Sequence, residues 1–227
     1  MLQKRTLKIG VSACLMGMPV RYDGTAKTSA DCQQLADSFE VITFCPEVGA
    51  GMGVPRPTIY LTGEIAAYQA RLHHNNQDVT LALEHYSQSR RNELAQLSGC
   101  ILKSRSPSCG VNSAPLVNDG QATGELVDGI FTQVIRAEFP DMPILDSDDV
   151  DDELALAQFL LKATVYGHAE LCLGDFAWLP QGSDPELKIR RLLPDIYKKI
   201  ETLSIDKCEQ FRAQFEDGQQ NNRRAER

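Results

Sequence analysis

The sequence has none of the long apolar runs that mark membrane proteins. No stretch approaches the roughly 18 apolar residues of a membrane-spanning helix, and the opening MLQKRTLK lacks the apolar core of a signal peptide. Hydrophobic residues make up 42% of the 227 residues and charged residues 24%, which suffices for a sizeable buried core. We therefore predict a cytoplasmic protein without membrane contact.

Positive charge is also in short supply. The chain has 23 Lys and Arg against 31 Asp and Glu, a net charge of -8. Proteins that coat nucleic acids by bulk electrostatics carry an excess of basic residues. That mode of nucleic-acid binding is therefore disfavoured for the main domain.

Paired cysteines are missing as well. The seven cysteines form an odd set with no CxxC spacing, and the four histidines fit no metal-binding or catalytic spacing. A disulfide framework is improbable in a chain without a secretion signal, so the thiols are expected to be reduced. Metal binding and catalysis by individual thiols both stay open at this point.

Short apolar runs alternate with helical patterns over the first 150 residues. This alternation predicts an α/β fold with an open, mostly parallel sheet and flanking helices. The loop PEVGAGMGVPRP, which follows Cys45, is predicted to be non-helical. The expected strands are 7–13, 39–44, 100–103 and 142–146, and the expected helices are 29–39, 78–97 and 130–139.

We divide the chain into a main domain at 1–150, a helical C-terminal extension at 151–216 and a disordered tail at 217–227. The acidic run DSDDVDDE, which begins at Asp146, is interpreted as a helix N-terminus rather than a divalent-cation loop. Farther on, SDPELKIRRLL has the capping-box spacing of a second helix start.

Three cysteines lie where predicted strands end. Cys14, Cys45 and Cys109 each stand at or just past the carboxyl end of a strand, the edge where open α/β sheets build ligand sites. Thiolates suit zinc or an iron–sulfur cluster. Their wide spacing leaves a shared metal site and separately buried thiols equally open. The remaining cysteines are assigned to packing: Cys32, Cys100, Cys172 and Cys208.

Polar side chains accompany these cysteines. Glu47 follows Cys45 by two residues and is a candidate for acid/base chemistry, with an ordinary surface glutamate as the alternative. Hydroxyls in the turn before Cys109 are suited to orient a polar ligand or to cap backbone groups. The further candidates are Arg21, Tyr22, Asp23, Ser104, Ser106 and Ser108.

Three segments, SACLMGMPVRYDG, CPEVGAGMGVPRP and LKSRSPSCG, follow one another at the separations typical of one enzyme family. Over about residues 6–150 the chain resembles the thiouracil desulfidase family. The resemblance implies an enzyme that removes sulfur from thiolated uracil without redox chemistry, giving uracil and hydrogen sulfide. It also implies a [4Fe-4S] cluster that is held by three cysteines and keeps one iron open.

Residue by residue, the resemblance makes Cys14, Cys45 and Cys109 the expected cluster ligands. The open iron would bind the thiocarbonyl sulfur, while Glu47 activates a water or relays its proton and Ser106 orients the substrate. Additional substrate contacts are expected from Arg21, Tyr22, Asp23 and Ser104.

The substrate stays open between a free base, a nucleotide and a thiolated tRNA. The chain has PRPTIYLTGE where the family often has a small residue and then Glu after PRP, and residues from about 151 onward resemble no family. One alternative is a non-enzymatic iron–sulfur or zinc sensor that signals through C-terminal helices. A thiol redox enzyme is ranked last because no CxxC is present.

Overall fold

The structure, a computed structural model, describes residues 7–37 and 39–167. Its strands are β1 (Lys8–Ser12), β2 (Glu40–Phe44), β3 (Ile59–Glu64), β4 (Ala67–Leu72), β5 (Gly99–Leu102), β6 (Ala114–Asn118), β7 (Gln121–Val127) and β8 (Ile144–Asp146). Its helices are α1 (Ala30–Gln34), α2 (Pro46–Gly49), α3 (Thr80–Ser89), α4 (Arg91–Leu94), α5 (Ile130–Glu138) and α6 (Glu153–Gly167). Single 3-10 turns occupy Ala13–Met16, Leu35–Asp37 and Ser147–Asp149.

Four strands form a fully parallel sheet in the order β2-β1-β5-β8. Val11 of β1 pairs with Thr43 on one side and with Ile101 on the other, which fixes the register of the central strands. This sheet confirms the predicted α/β fold with flanking helices. Its strands lie at the segments where short apolar runs were found.

Helices cover both faces of this parallel sheet. On one face Ile9, Val11 and Ile101 pack with side chains of α1 and α6. On the other face Phe44 and Leu102 join side chains of α4 and α5. Burial on both faces explains why these strands read as continuous apolar runs rather than as alternating ones.

A second sheet, in the order β4-β3-β6-β7, was not predicted. Its two hairpins are antiparallel, while β3 and β6 pair in parallel. Leu61 and Leu116 are fully buried and pack with Leu83 of α3 and Ile130 of α5. In β7 every residue before Val127 is exposed, so the segment lacks the apolar signal that identifies a strand.

Two helix predictions needed correction. The loop after Cys45 was predicted to be non-helical, but Pro46 opens the short helix α2, where a proline at the first position loses no hydrogen bond. The helix expected over 78–97 is divided at Arg90 into α3 and α4.

The described fold continues past the boundary predicted at residue 150. The acidic run forms a 3-10 turn, capped by the Asp146 carboxylate that accepts from the Asp148 N–H at 3.0 Å. Helix α6 then packs on the parallel sheet through Leu156, Phe159 and Leu160. The rest of the predicted extension and the predicted tail lie outside the described residues.

Within 7–37 and 39–167, no helix combines the length and the apolar character that membrane crossing requires.

Replacing Phe159 with Ala tests whether α6 belongs to the main fold. The ring is 4% exposed, so its loss should lower the free energy of unfolding by about 3–5 kcal/mol. Urea unfolding measures the change, with Leu81→Ala as control because Leu81 is 66% exposed and should shift stability by at most about 0.5 kcal/mol. Equal, small effects of both substitutions would show that α6 does not contribute to the core.

Candidate active site

The carboxyl ends of β1, β2 and β5 surround a cavity of about 370 Å³. Cys14, Cys45 and Cys109 all line it. Each cysteine lies in the segment that follows one of these parallel strands, so the sheet itself brings together thiols that are far apart in sequence. All three are free thiols.

Each thiol is positioned by local backbone structure. Cys14 lies in the 3-10 turn that directly follows β1, and Cys45 immediately precedes α2. Cys109 lies in the loop after β5 and is 5% exposed, whereas the other two are half-buried. The Cys45 Sγ also contacts the carbonyl oxygen of Val20 at 3.7 Å, which ties it to the loop that follows Cys14.

Burial is the main electrostatic influence on these thiols. It raises the pKa of Cys14 and Cys45, and it raises that of Cys109 well above its usual value. Mutual repulsion adds to this effect, since an ionised Cys45 raises the pKa of both Cys14 and Cys109. Three thiolates in one cavity therefore call for a positive centre to bind them.

The donor set fits a cluster with thiolate ligands. Within the described chain, no three His, Cys, Asp or Glu side chains are grouped closely enough to hold a single metal ion. In a cubane cluster each cysteine binds a different iron, so its ligands need not converge on one point. Three thiols on separate loops around one cavity meet that requirement.

Glu47 enters the same cavity from α2. Its side chain is only 14% exposed, and both carboxylate oxygens are bound. Oε2 accepts from Arg56 Nε at 2.7 Å, and Oε1 accepts from the Ser108 hydroxyl at 3.0 Å. Glu47 is thus a fixed, largely buried carboxylate beside the thiols, and the surface alternative does not describe it.

Arg56 was given no role in the sequence analysis. Its side chain is 3% exposed and lines the cavity. Besides the ion pair with Glu47, it donates to the carbonyl oxygens of Gly53 and Val20, both at 2.9 Å. Arg56 lies near the end of CPEVGAGMGVPRP, one of the three segments that carry the family resemblance. That position was the available signal for a role at the site.

The serine hydroxyls in the turn before Cys109 stabilise the loop, and some of them also line the cavity. Ser106 lines the cavity, and its Oγ accepts from the backbone N–H groups of Ser108 and Cys109 at 3.2 and 3.1 Å. Ser104 also lines the cavity, is 3% exposed and donates to Asp148 at 2.6 Å. Ser106 therefore shapes the turn that carries a thiol, while the hydroxyl hydrogen of Ser104 is already engaged.

Of the three substrate contacts predicted in the segment after Cys14, two line the cavity. Arg21 and Tyr22 line the cavity, with the guanidinium carbon 5.6 Å from the ring centroid. Asp23 is not among the lining residues. Its Oδ1 instead accepts from the N–H and the hydroxyl of Thr25, at 3.0 and 2.6 Å, and so closes the turn.

Basic side chains dominate the charged lining of the cavity. Five lining residues are basic and one, Glu47, is acidic, although the whole chain has a net charge of -8. The basic residues that were not predicted, apart from Arg56, are Lys27, Lys103 and Arg105. Burial lowers the pKa of Lys103, and its ammonium group donates to the Ser104 hydroxyl at 2.5 Å.

Comparison with known proteins assigns this site to a family. A family model described as 2-thiouracil desulfurase matches residues 9–147. YbbK, an uncharacterized protein of Bacillus subtilis strain 168, is 30% identical in an alignment of 129 residues that covers 52% of this chain and 82% of YbbK. A solved structure of the [4Fe-4S]-dependent thiouracil desulfidase TudS is 33% identical, with a TM-score of 0.55, and the alignment covers 68% of this chain and 99% of TudS.

The matched region contains all three cysteine-bearing segments and most of the described fold. The chain therefore belongs to the 2-thiouracil desulfurase family.

Proposed function

We propose that this protein is a [4Fe-4S]-dependent desulfidase that hydrolyses thiolated uracil to uracil and hydrogen sulfide. The observation that carries the proposal is the convergence of Cys14, Cys45 and Cys109 on one cavity that also contains Glu47. Membership of the 2-thiouracil desulfurase family and the similarity to TudS support it.

Cys14, Cys45 and Cys109 would hold the cluster. When bound, the cluster supplies an open iron, a Lewis acid that polarises the thiocarbonyl group. In the overall reaction water adds its oxygen to the ring carbon, the C–S bond breaks, and both protons of water end on the products. No electrons are exchanged, so the reaction needs no reductant.

Glu47 is proposed to take the proton of the attacking water. Each carboxylate oxygen has two acceptor sites, so the contacts with Arg56 and Ser108 leave lone pairs for a water in the cavity. The same carboxyl group then returns the proton to the leaving sulfur. Glu47 lines the same cavity as Cys45 and Cys109, which supports proton transfer next to the proposed cluster.

Ser106 and Tyr22 are proposed to orient the pyrimidine ring. The Ser106 oxygen accepts hydrogen bonds from two backbone N–H groups, which fixes its position, while its hydroxyl hydrogen can donate to the carbonyl oxygen of the substrate. Tyr22 is 42% exposed and lines the cavity, where its ring can pack on the face of the substrate.

The proposed substrate class includes thiolated uridine nucleotides and RNA residues. A free thiouracil has no fixed negative charge to pair with the basic lining, whereas a phosphate group does. Lys27 and Arg105 line the cavity with exposed side chains, which suits them to bind such a group, and Arg105 also pairs with Asp148 at 2.9 Å. This charge distribution supports a phosphate beyond the base in the preferred substrate.

Cluster content tests the three proposed ligands. After anaerobic reconstitution, wild type should contain about four irons and about four acid-labile sulfides per chain. Single Cys→Ala variants at 14, 45 and 109 should lose most of both, because each removes one of only three protein ligands. Cys32→Ala should retain them, since Cys32 is buried in α1. Zinc alone, or iron that is indifferent to these cysteines, would favour the sensor alternative.

Glu47→Gln tests the acid/base role. The amide keeps the size of the side chain and one acceptor oxygen but cannot take up the proton, so kcat for sulfide release should fall about 10²- to 10⁴-fold. Iron content should stay at the wild-type value. Glu125→Gln is the control, because Glu125 is exposed on β7 and does not line the cavity. Wild-type turnover by the loaded Glu47→Gln protein would refute the role of Glu47.

The phosphate preference is tested by comparing 4-thiouridine with its 5′-monophosphate. The nucleotide should show a KM about tenfold lower, and added salt should narrow the difference because it screens exposed charges. Lys27→Gln should also reduce the KM difference between nucleoside and nucleotide. Lys162→Gln should not, because Lys162 is an exposed residue of α6. Equal KM values for nucleoside and nucleotide in wild type would contradict the preference.

A further inference from the structure

We infer that Arg56 is a positioning residue that holds the Glu47 carboxylate in its reactive orientation. The inference rests on the acid/base role proposed for Glu47. Arg56 contacts the Glu47 carboxylate and acts through it rather than on the substrate.

Arg56 connects Glu47 and Val20, which line the cavity, with the backbone at Gly53. Nε donates to Glu47 Oε2 on α2, Nη1 donates to the Gly53 carbonyl, and Nη2 donates to the Val20 carbonyl. Guanidinium is planar and rigid, so carbonyl contacts at two nitrogens fix the direction of the third. The Nε–H is thereby aimed at one carboxylate oxygen.

Glu47 needs this external support. It lies on the short helix α2, which has only four residues. Its other described side-chain partner is the Ser108 hydroxyl, which binds Oε1 alone. Nearby thiolates would repel the carboxylate, and the buried guanidinium supplies the opposite charge.

The Val20 carbonyl extends this support to a proposed cluster ligand. It accepts from Arg56 and also contacts the Cys45 Sγ, at 2.9 and 3.7 Å. The same carbonyl therefore fixes the position of the arginine relative to the thiol. Displacement of Arg56 would therefore move the Glu47 carboxylate relative to Cys45.

A double-mutant cycle with R56Q and E47Q tests the inference in cluster-loaded protein. R56Q should lower kcat for sulfide release about 30-fold or more, with KM changed less than about threefold, because orientation affects the reacting complex more than binding. In the E47Q background the same change should lower kcat less than about threefold, since the group that Arg56 positions is already inactive.

Controls separate positioning from folding and cluster loss. R56K keeps the positive charge but replaces the planar guanidinium with a single ammonium group. Its kcat should therefore fall between those of R56Q and wild type. R91Q removes an exposed arginine from another ion pair, that with Glu138, and should leave kcat unchanged. Iron content and the absorption spectrum should match wild type in R56K and R91Q.

Urea unfolding of the same loaded proteins gives a readout that does not depend on turnover. E47Q leaves a buried guanidinium without its anion, so the double variant should unfold nearer to wild type than the summed single shifts predict.

Several results would overturn the inference: wild-type kcat in R56Q, additive effects on kcat, additive unfolding midpoints, or iron loss in both R56Q and R56K. The last would show that Arg56 acts on cluster retention and not through Glu47. If wild type itself releases no sulfide, the proposed function fails, whereas the unfolding cycle still reports whether Arg56 and Glu47 are coupled.

Discussion

The arrangement of this site depends on gathering three buried or half-buried thiols, anionic when they bind metal, around one cavity. Burial and mutual repulsion both oppose ionisation of these thiols, as the raised pKa values of Cys14 and Cys109 indicate. The parallel sheet provides the rigid frame for this unfavourable grouping, because three neighbouring strands end at the same edge. A bound cationic centre would turn the repulsion into ligation.

A second group of polar contacts stabilises the loops that carry the thiols. The Asp146 carboxylate, at the end of β8, accepts from the Val111 N–H and the Ser113 hydroxyl just beyond Cys109. Ser106 caps the turn before Cys109. The loop is therefore held on both sides of its thiol, and most of its polar atoms are used for structure before any substrate binds. Ser104, predicted as a substrate contact, lines the cavity and also donates its hydroxyl to Asp148.

The sequence was sufficient to predict the parallel sheet and to show that three cysteines follow strands ending at one edge, but only the family resemblance favoured a shared site. Strands buried on both faces leave an unmistakable apolar signal, and chain order plus parallel pairing determines which ends meet. The second sheet could not be found this way, because β7 is almost wholly exposed. Arg56 and Asp23 show a different limit. Whether an exposed-looking polar residue turns toward the cavity or closes a local turn is decided by tertiary contacts that spacing does not encode.

The most direct test of hydrolytic desulfuration is the fate of oxygen from solvent. Loaded protein should convert thiouracil anaerobically in ¹⁸O-labelled water, without added reductant, and the uracil and sulfide should be quantified together. The account predicts one ¹⁸O atom in the uracil for each sulfide released. Sulfide release that requires a reductant, or uracil without the label, would contradict it.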